Sequence, residues 1–307
     1  MKILIICSNL IGDTILSTGV FNSLFAKYPD ARFTFVIGPT AKPILKNYKN
    51  IENVITIYKK KYNLHWVEVL RKTSNSKWDI VIDLRSSLLS FFLQKNKKYV
   101  FSKTKNIHHV DQLSKSFGFD CSSLNIKTSE QEDHEVKKVL SKNYKYIVIF
   151  PGGNWKPKLW SIENYNKLMK LIHSNNQNIK FIIVGSEFEK KHCFNKLTSG
   201  INKENIIDLF GFNLTLTSAY MKKCNLFIGN DSGLMHLSVA SNLKTIALFG
   251  PTNDKVYGPY GNNNIVLRTD ESYEHFQSIK INPNISYMNS ILPSKVCKII
   301  EEIKFYD

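Results

Sequence analysis

Phe227-Ile228-Gly229-Asn230-Asp231-Ser232-Gly233-Leu234-Met235-His236 reads as a strand end, a tight polar turn and the first turn of a helix. Small residues at 229, 232 and 233 leave backbone amides open at a helix N-terminus, which makes an anion site out of main chain. A pyrophosphate fits there. Asp231 would repel that anion head-on, so its places are helix cap, sugar contact or loop brace. His236, on the first helical turn, either holds the loop or reaches a ligand.

Outward from this stretch, short runs rich in Val and Ile alternate with longer amphipathic segments, the pattern of βα units building parallel sheets. The first half predicts strands at 2–7, 33–37, 53–57 and 79–83, with helices at 14–28, 40–47 and 63–73. From Tyr146 the alternation restarts, with strands at 146–150, 180–184, 205–208, 225–228 and 244–248 and helices between them. At roughly 150 residues per domain, the 307 residues divide into an N-terminal domain, 1–145, and a C-terminal domain, 146–307. Val296, Ile299, Ile300 and Ile303 predict a terminal helix at about 294–305, for which packing back on the first domain is one option. The acidic run Glu130, Glu132, Asp133, Glu135, with His134 among them, reads as the solvated start of a helix rather than a metal site.

The 42 Lys+Arg against 25 Asp+Glu give a net charge of +17, which implies anionic partners. Residues 1–145 carry +12 of it, making the first domain the docking side for a polyanion or a negatively charged membrane face. Lys59-Lys60-Lys61 and Lys95 to Lys105, interleaved with Tyr62, Trp66, Tyr99 and Phe101, suit anionic headgroups or nucleic acid. The apolar runs fall far short of the roughly 20 residues of a spanning helix, and Asn9, Gly12 and Asp13 cut short any leader-like start. A cytoplasmic protein is expected. Its five scattered cysteines fit neither a disulfide framework nor a zinc ribbon.

Three more loops fall at strand ends, where open α/β sheets bind ligands. In Ser8-Asn9-Leu10-Ile11-Gly12-Asp13-Thr14, Gly12 allows close backbone approach, and Asp13 fits either a helix N-cap or a general base. In Pro151-Gly152-Gly153-Asn154-Trp155-Lys156-Pro157-Lys158, two glycines expose amides and two lysines supply cations for phosphate oxygens. Ala247-Leu248-Phe249-Gly250-Pro251-Thr252 closes the next strand as a further ligand-rim turn.

Asn-Leu-Ile-Gly-Asp at 9–13, Pro-Gly-Gly followed by Lys-Leu-Trp at 158–160, Gly-Asn-Asp-Ser-Gly-Leu-Met-His at 229–236 and Phe-Gly-Pro-Thr at 249–252 together resemble glycosyltransferase family 9, the ADP-heptose:lipopolysaccharide heptosyltransferases. Order and spacing match over essentially the whole chain. The resemblance implies an α/β GT-B architecture, two Rossmann-like domains facing across a cleft, with donor nucleotide on the second and acceptor on the first. It implies inverting, metal-independent transfer of heptose from ADP-heptose to the Kdo or heptose of the inner core, with no cofactor. Asp13 resembles the general base, and Lys158 the lysine that neutralises the departing diphosphate. Gly152, Gly153, Asp231, Ser232, Gly233 and His236 fall to the donor side. Glu187 is placed to take the ribose hydroxyls, with Glu189 competing. Gly12, Arg85 and Ser86 fall to the acceptor side, the last two within Asp83-Leu84-Arg85-Ser86-Ser87. Ser161 and Ser241-Asn242 depart from the usual family pattern, away from the chemistry.

The expected partners are a nucleotide-sugar, an anionic lipid-linked glycan and the inner face of an anionic membrane, with no nucleic acid. Two other readings stand beside this one. The first is a transferase of the same fold using another nucleotide-sugar for a different glycan or protein. The second is a non-catalytic nucleotide- or polyanion-binding module.

Overall fold

Ile3, Leu4, Ile5 and Ile6 are wholly buried, because β1 (Lys2–Ile6) is the central strand of a parallel sheet buried on both faces. In this computed structural model, which describes Met1–Tyr306, the chain divides into two units, Met1–Ser129 and Glu130–Asp307. The first continues with α1 (Ile11–Leu16), α2 (Thr18–Lys27), β2 (Arg32–Ile37), β3 (Ile51–Thr56) and α3 (His65–Thr73). Then come β4 (Trp78–Asp83), α4 (Leu89–Phe92), β5 (Lys95–Val100) and α5 (His109–Phe117). Its five strands are ordered β3-β2-β1-β4-β5, all parallel.

The second unit starts with α6 (Glu130–Val139), β6 (Lys145–Phe150), α7 (Ile162–Asn175), β7 (Ile179–Gly185) and α8 (Glu187–Leu197). It continues with β8 (Ile206–Phe210), α9 (Leu214–Met221), β9 (Leu226–Asn230), α10 (Gly233–Ala240) and β10 (Thr245–Phe249). The last elements are α11 (Asp254–Tyr257), β11 (Ile265–Arg268), α12 (Tyr273–Ser278) and α13 (Pro293–Glu302). Its parallel sheet is ordered β11-β10-β9-β6-β7-β8. Both units are therefore Rossmann-like.

The structure differs from the sequence reading at several points. The division between the units falls at 129/130 instead of 145/146, because α6 packs on α9 and Glu132 accepts a 2.6 Å hydrogen bond from the Thr215 hydroxyl. The transferred segment carries four lysines and four carboxylates, so the first unit keeps its net +12. The terminal helix α13 is seated on α7 of its own unit, where Val296 and Ile300 join Leu168, Met169 and Ile172 in one core. The helix expected at 40–47 is a 3-10 turn, Lys42–Leu45, with Pro43 in its first turn, and the one expected at 14–28 is broken at Ser17 into α1 and α2.

Candidate functional site

Strand order reverses between β1 and β4 in the first sheet and between β6 and β9 in the second. At such a reversal the connections leave in opposite directions and open a crevice at the strand ends. The motif loops follow these four strands, so each unit gathers its own set of candidate residues at its switch point.

In the first unit Gly12 and Asp13 lie inside the first turn of α1, whose N-cap is Leu10. Asp13 is not the cap, so that reading of it falls away. Its Oδ2 accepts a 2.9 Å hydrogen bond from the Ser8 hydroxyl, whose oxygen in turn accepts from the Leu10 amide at 3.1 Å. The loop after β4 is held by fully buried Asp83, which accepts from the Arg85 amide at 3.0 Å and from the Ser87 amide and hydroxyl, both at 2.8 Å. Ser86 takes a left-handed conformation, φ 54°, and its hydroxyl donates to the Phe101 carbonyl. Arg85 lies over the Trp66 ring, 5.1 Å from its centroid. Burial pulls its guanidinium below the ordinary value, while the charges of Asp83 and Asp13 oppose that shift. Its Nη1 is buried and has no hydrogen-bond partner among the described residues. Buried His109, at the start of α5, is pulled down by desolvation, with the Asp13 carboxylate opposing. Sequence reading passed over His109, since a lone histidine after an unrecognised strand carries no pattern.

In the second unit Lys158 Nζ meets Asp231 Oδ2 at 3.1 Å, with only 15% and 8% of the two side chains exposed. The structure thus joins two motifs 73 residues apart. Ser232 is the N-cap of α10, its hydroxyl accepting from the Met235 amide at 3.3 Å, and Gly233 opens the helix. His236 is buried on the first turn.

The Gly152-Gly153 loop is shaped by Glu189. Its Oε1 accepts from the Gly153 amide at 2.7 Å, and its Oε2 from the Ser186 amide and hydroxyl at 2.7 and 2.8 Å, completing a capping box with the Ser186 hydroxyl. Gly152 has no room for a Cβ, which would run into the Glu189 carboxylate, and Gly153 sits at φ +143°. Glu189 is thus committed to backbone, which leaves Glu187, exposed at the start of α8, as the carboxylate available to a ligand.

Asn230 and Arg268 are the positioning residues that sequence reading missed. Buried Asn230 makes all four of its hydrogen bonds: Oδ1 accepts from the Trp160 amide and the Tyr165 hydroxyl, both at 3.0 Å, and Nδ2 donates to the Pro151 and Gly152 carbonyls at 3.1 and 3.0 Å. Arg268 clamps the turn after β10, donating to the carbonyls of Gly250 and Thr252 and to Asp254. Its strand, only four residues long, gives no sequence signal. Among the described residues no three His, Cys, Asp or Glu side chains are grouped to hold a metal ion, and no helix is long and apolar enough to cross a membrane.

Two Rossmann-like units with loop sites at both switch points define a protein of the GT-B class, and solved structures agree. A family 9 glycosyltransferase from Veillonella parvula superposes with a TM-score of 0.78 at 24% identity, covering 100% of this chain and 97% of that one. The E. coli ADP-heptose LPS heptosyltransferase II superposes with a TM-score of 0.73 at 20% identity, covering 98% of each. The family model for glycosyltransferase family 9 (heptosyltransferase) matches residues 105–285, and the chain belongs to that family. It is a glycosyltransferase. Lipooligosaccharide heptosyltransferase 2 of Campylobacter jejuni is 26% identical over 286 residues, 87% of this chain and 86% of that one. Lipopolysaccharide heptosyltransferase 3 of E. coli is 23% identical over 330, 95% and 96% of the two chains.

Proposed function

We propose that this enzyme moves heptose from ADP-heptose to a Kdo or heptose residue of an inner-core lipopolysaccharide acceptor, with inversion and without a metal. Asp13 removes the proton of the acceptor hydroxyl as its oxygen attacks the anomeric carbon. The bond from that carbon to the diphosphate breaks on the opposite face, and ADP leaves with the electron pair. Lys158 offsets the charge that builds on the departing phosphate. The Gly152-Gly153 loop and the turn Asp231-Ser232-Gly233 with His236 receive the pyrophosphate and sugar, and Glu187 the ribose hydroxyls. Gly12, Arg85 and Ser86 line the acceptor side, Arg85 meeting an anionic group. Work takes place at the cytoplasmic face of the inner membrane, in peripheral contact with anionic lipid.

The observation that carries this reading is the buried Lys158–Asp231 pair at 3.1 Å beside the N-terminus of α10. A cation held there beside open amides is what a leaving diphosphate requires when no metal assists it. The test is calorimetric titration with ADP, ADP-heptose, UDP and a UDP-sugar, followed by transfer to Kdo-lipid A. Adenine-selective binding with turnover is expected. Selective binding of a uridine nucleotide would move the function to another sugar, and no nucleotide binding at all would leave only the polyanion-binding module.

A further inference from the structure

The first unit turns a set of large apolar side chains outward that its own core does not use. On α4, Leu89 enters the core, as does Leu93 just after the helix, both beside Val69 of α3 and Trp78. The other face of the same turn is bare: Leu88 is 76% exposed, Phe91 60% and Phe92 70%. α3 packs against α4, and the chain entering and starting α3 also carries exposed apolar side chains, Tyr62, Leu64 and Val67. A cluster of this size beside a polar surface marks a contact site, whereas single exposed apolar residues mark nothing.

The charge around this face is mostly positive, the nearby carboxylate Glu68 of α3 being taken up by Lys60 and Lys72. From Leu84 to Val110 the chain has Arg85, Lys95, Lys97, Lys98, Lys103 and Lys105 and no carboxylate. From Tyr58 to Val67 it has Lys59, Lys60 and Lys61, again with none. Lys98 Nζ sits 3.2 Å from the centroid of the Phe91 ring, and Lys95 Nζ donates to the Phe91 and Leu93 carbonyls at 3.3 and 2.8 Å, so cation and apolar face are one surface. Lysines on the edge strand β5 would by themselves be accounted for as guards against strand pairing. That purpose gives no reason for two phenylalanines and a leucine to face water next to them.

We infer that the face built from residues 62–67 and 88–92 docks on an anionic lipid bilayer, with Leu88, Phe91 and Phe92 entering the headgroup boundary and Lys59, Lys61, Lys95, Lys97 and Lys98 meeting lipid phosphates. Apolar side chains on a single convex turn suit a fluid interface, and flanking lysines each add attraction to anionic headgroups. The face also adjoins the acceptor-side loop, because Trp66 of α3 carries the Arg85 guanidinium and Leu88 lies two residues beyond Ser86. A lipid-anchored acceptor would then rise from the bilayer next to Arg85. This last link rests on the function proposed above. The docking itself is tested without any nucleotide.

The experiment is flotation of the full chain with vesicles of phosphatidylcholine alone or with about a quarter phosphatidylglycerol, at low and high salt. Wild type should float with the anionic vesicles only, and less at high salt. Phe91→Ser/Phe92→Ser should bind at least about tenfold more weakly, with an unchanged melting curve because both side chains are exposed. Lys95→Gln/Lys97→Gln should weaken binding and its salt dependence together. Wild type that stays with neither vesicle, or a phenylalanine variant that floats like wild type, overturns the inference. So does a wild-type dimer that the phenylalanine variant splits, since the face would then join two copies. Loss of flotation with ADP-heptose binding intact indicts the docking face alone, and the converse indicts the transferase reading alone.

Discussion

Asp13 and Lys158 differ in what each would lose with its charge. Asp13→Asn keeps the contact with Ser8 but removes the base, so donor affinity should hold while transfer falls by about 10² or more, the scale of general-base catalysis; an equal loss of both would make Asp13 structural. Lys158→Ala should weaken ADP binding and slow transfer together, as seen by calorimetry and turnover. It should also cost stability, because it leaves the Asp231 carboxylate buried without its cation, a loss of about 3–5 kcal/mol. Adding Asp231→Asn should restore much of that stability without restoring ADP affinity, and a double variant no more stable than the single one would deny the coupling. His109 supplies a pH test. Burial lowers its pKa in the folded chain, and of the charges near it Asp13 opposes the shift while His108 and Lys103 add to it. The unfolded chain therefore takes up the proton first, and stability falls as pH drops below about 6.5. Denaturant titrations of His109→Asn should show a flatter acid limb than wild type, and an unchanged limb would refute the assignment.

At the scale of elements, the ends of β6 and β9 and the loop leading to α7 are fastened by one side chain. Asn230→Ala strands the Trp160 amide, the Tyr165 hydroxyl and the carbonyls of Pro151 and Gly152 in the interior. At about 1–3 kcal/mol for each unsatisfied group, a loss of at least about 3 kcal/mol in a urea melt is expected, and a loss within experimental error would show the loops to be held by other contacts. None of this was legible beforehand, since Asn230 reads as one small polar residue of a turn. The strands with Val- and Ile-rich runs were legible to within a residue or two, because burial on both faces leaves an apolar signature. β5 was not, because Lys95-Asn96-Lys97-Lys98 guards a sheet edge with charge and erases that signature. Asp13 and Lys158 stood out through motif spacing. The partner that holds Lys158 was visible only once β9 and the Lys-Leu-Trp loop were folded beside each other.

At the scale of the molecule, two units with separate sheets predict a localised response to nucleotide. Saturating ADP should slow hydrogen exchange in peptides spanning 151–160 and 229–236 and leave those spanning 8–16 and 84–88 unchanged. ADP at about 100 times its Kd should stabilise the second unit by about 2.7 kcal/mol. Equal protection of both units would contradict the assignment of nucleotide to the second. The domain boundary escaped the sequence for a physical reason: α6 is mostly polar, and it is tied to the second unit by only two buried side chains, Val136 and Glu132, the latter meeting Thr215 of α9. The Lys158–Asp231 contact has a kinetic corollary as well. An ammonium already paired with its own buried counter-ion offers little to a monovalent anion such as chloride, whereas a polyvalent anion has the charge to compete with Asp231. If Lys158 holds the departing diphosphate as proposed, the same carboxylate stands ready to take the ammonium back once the nucleotide has gone.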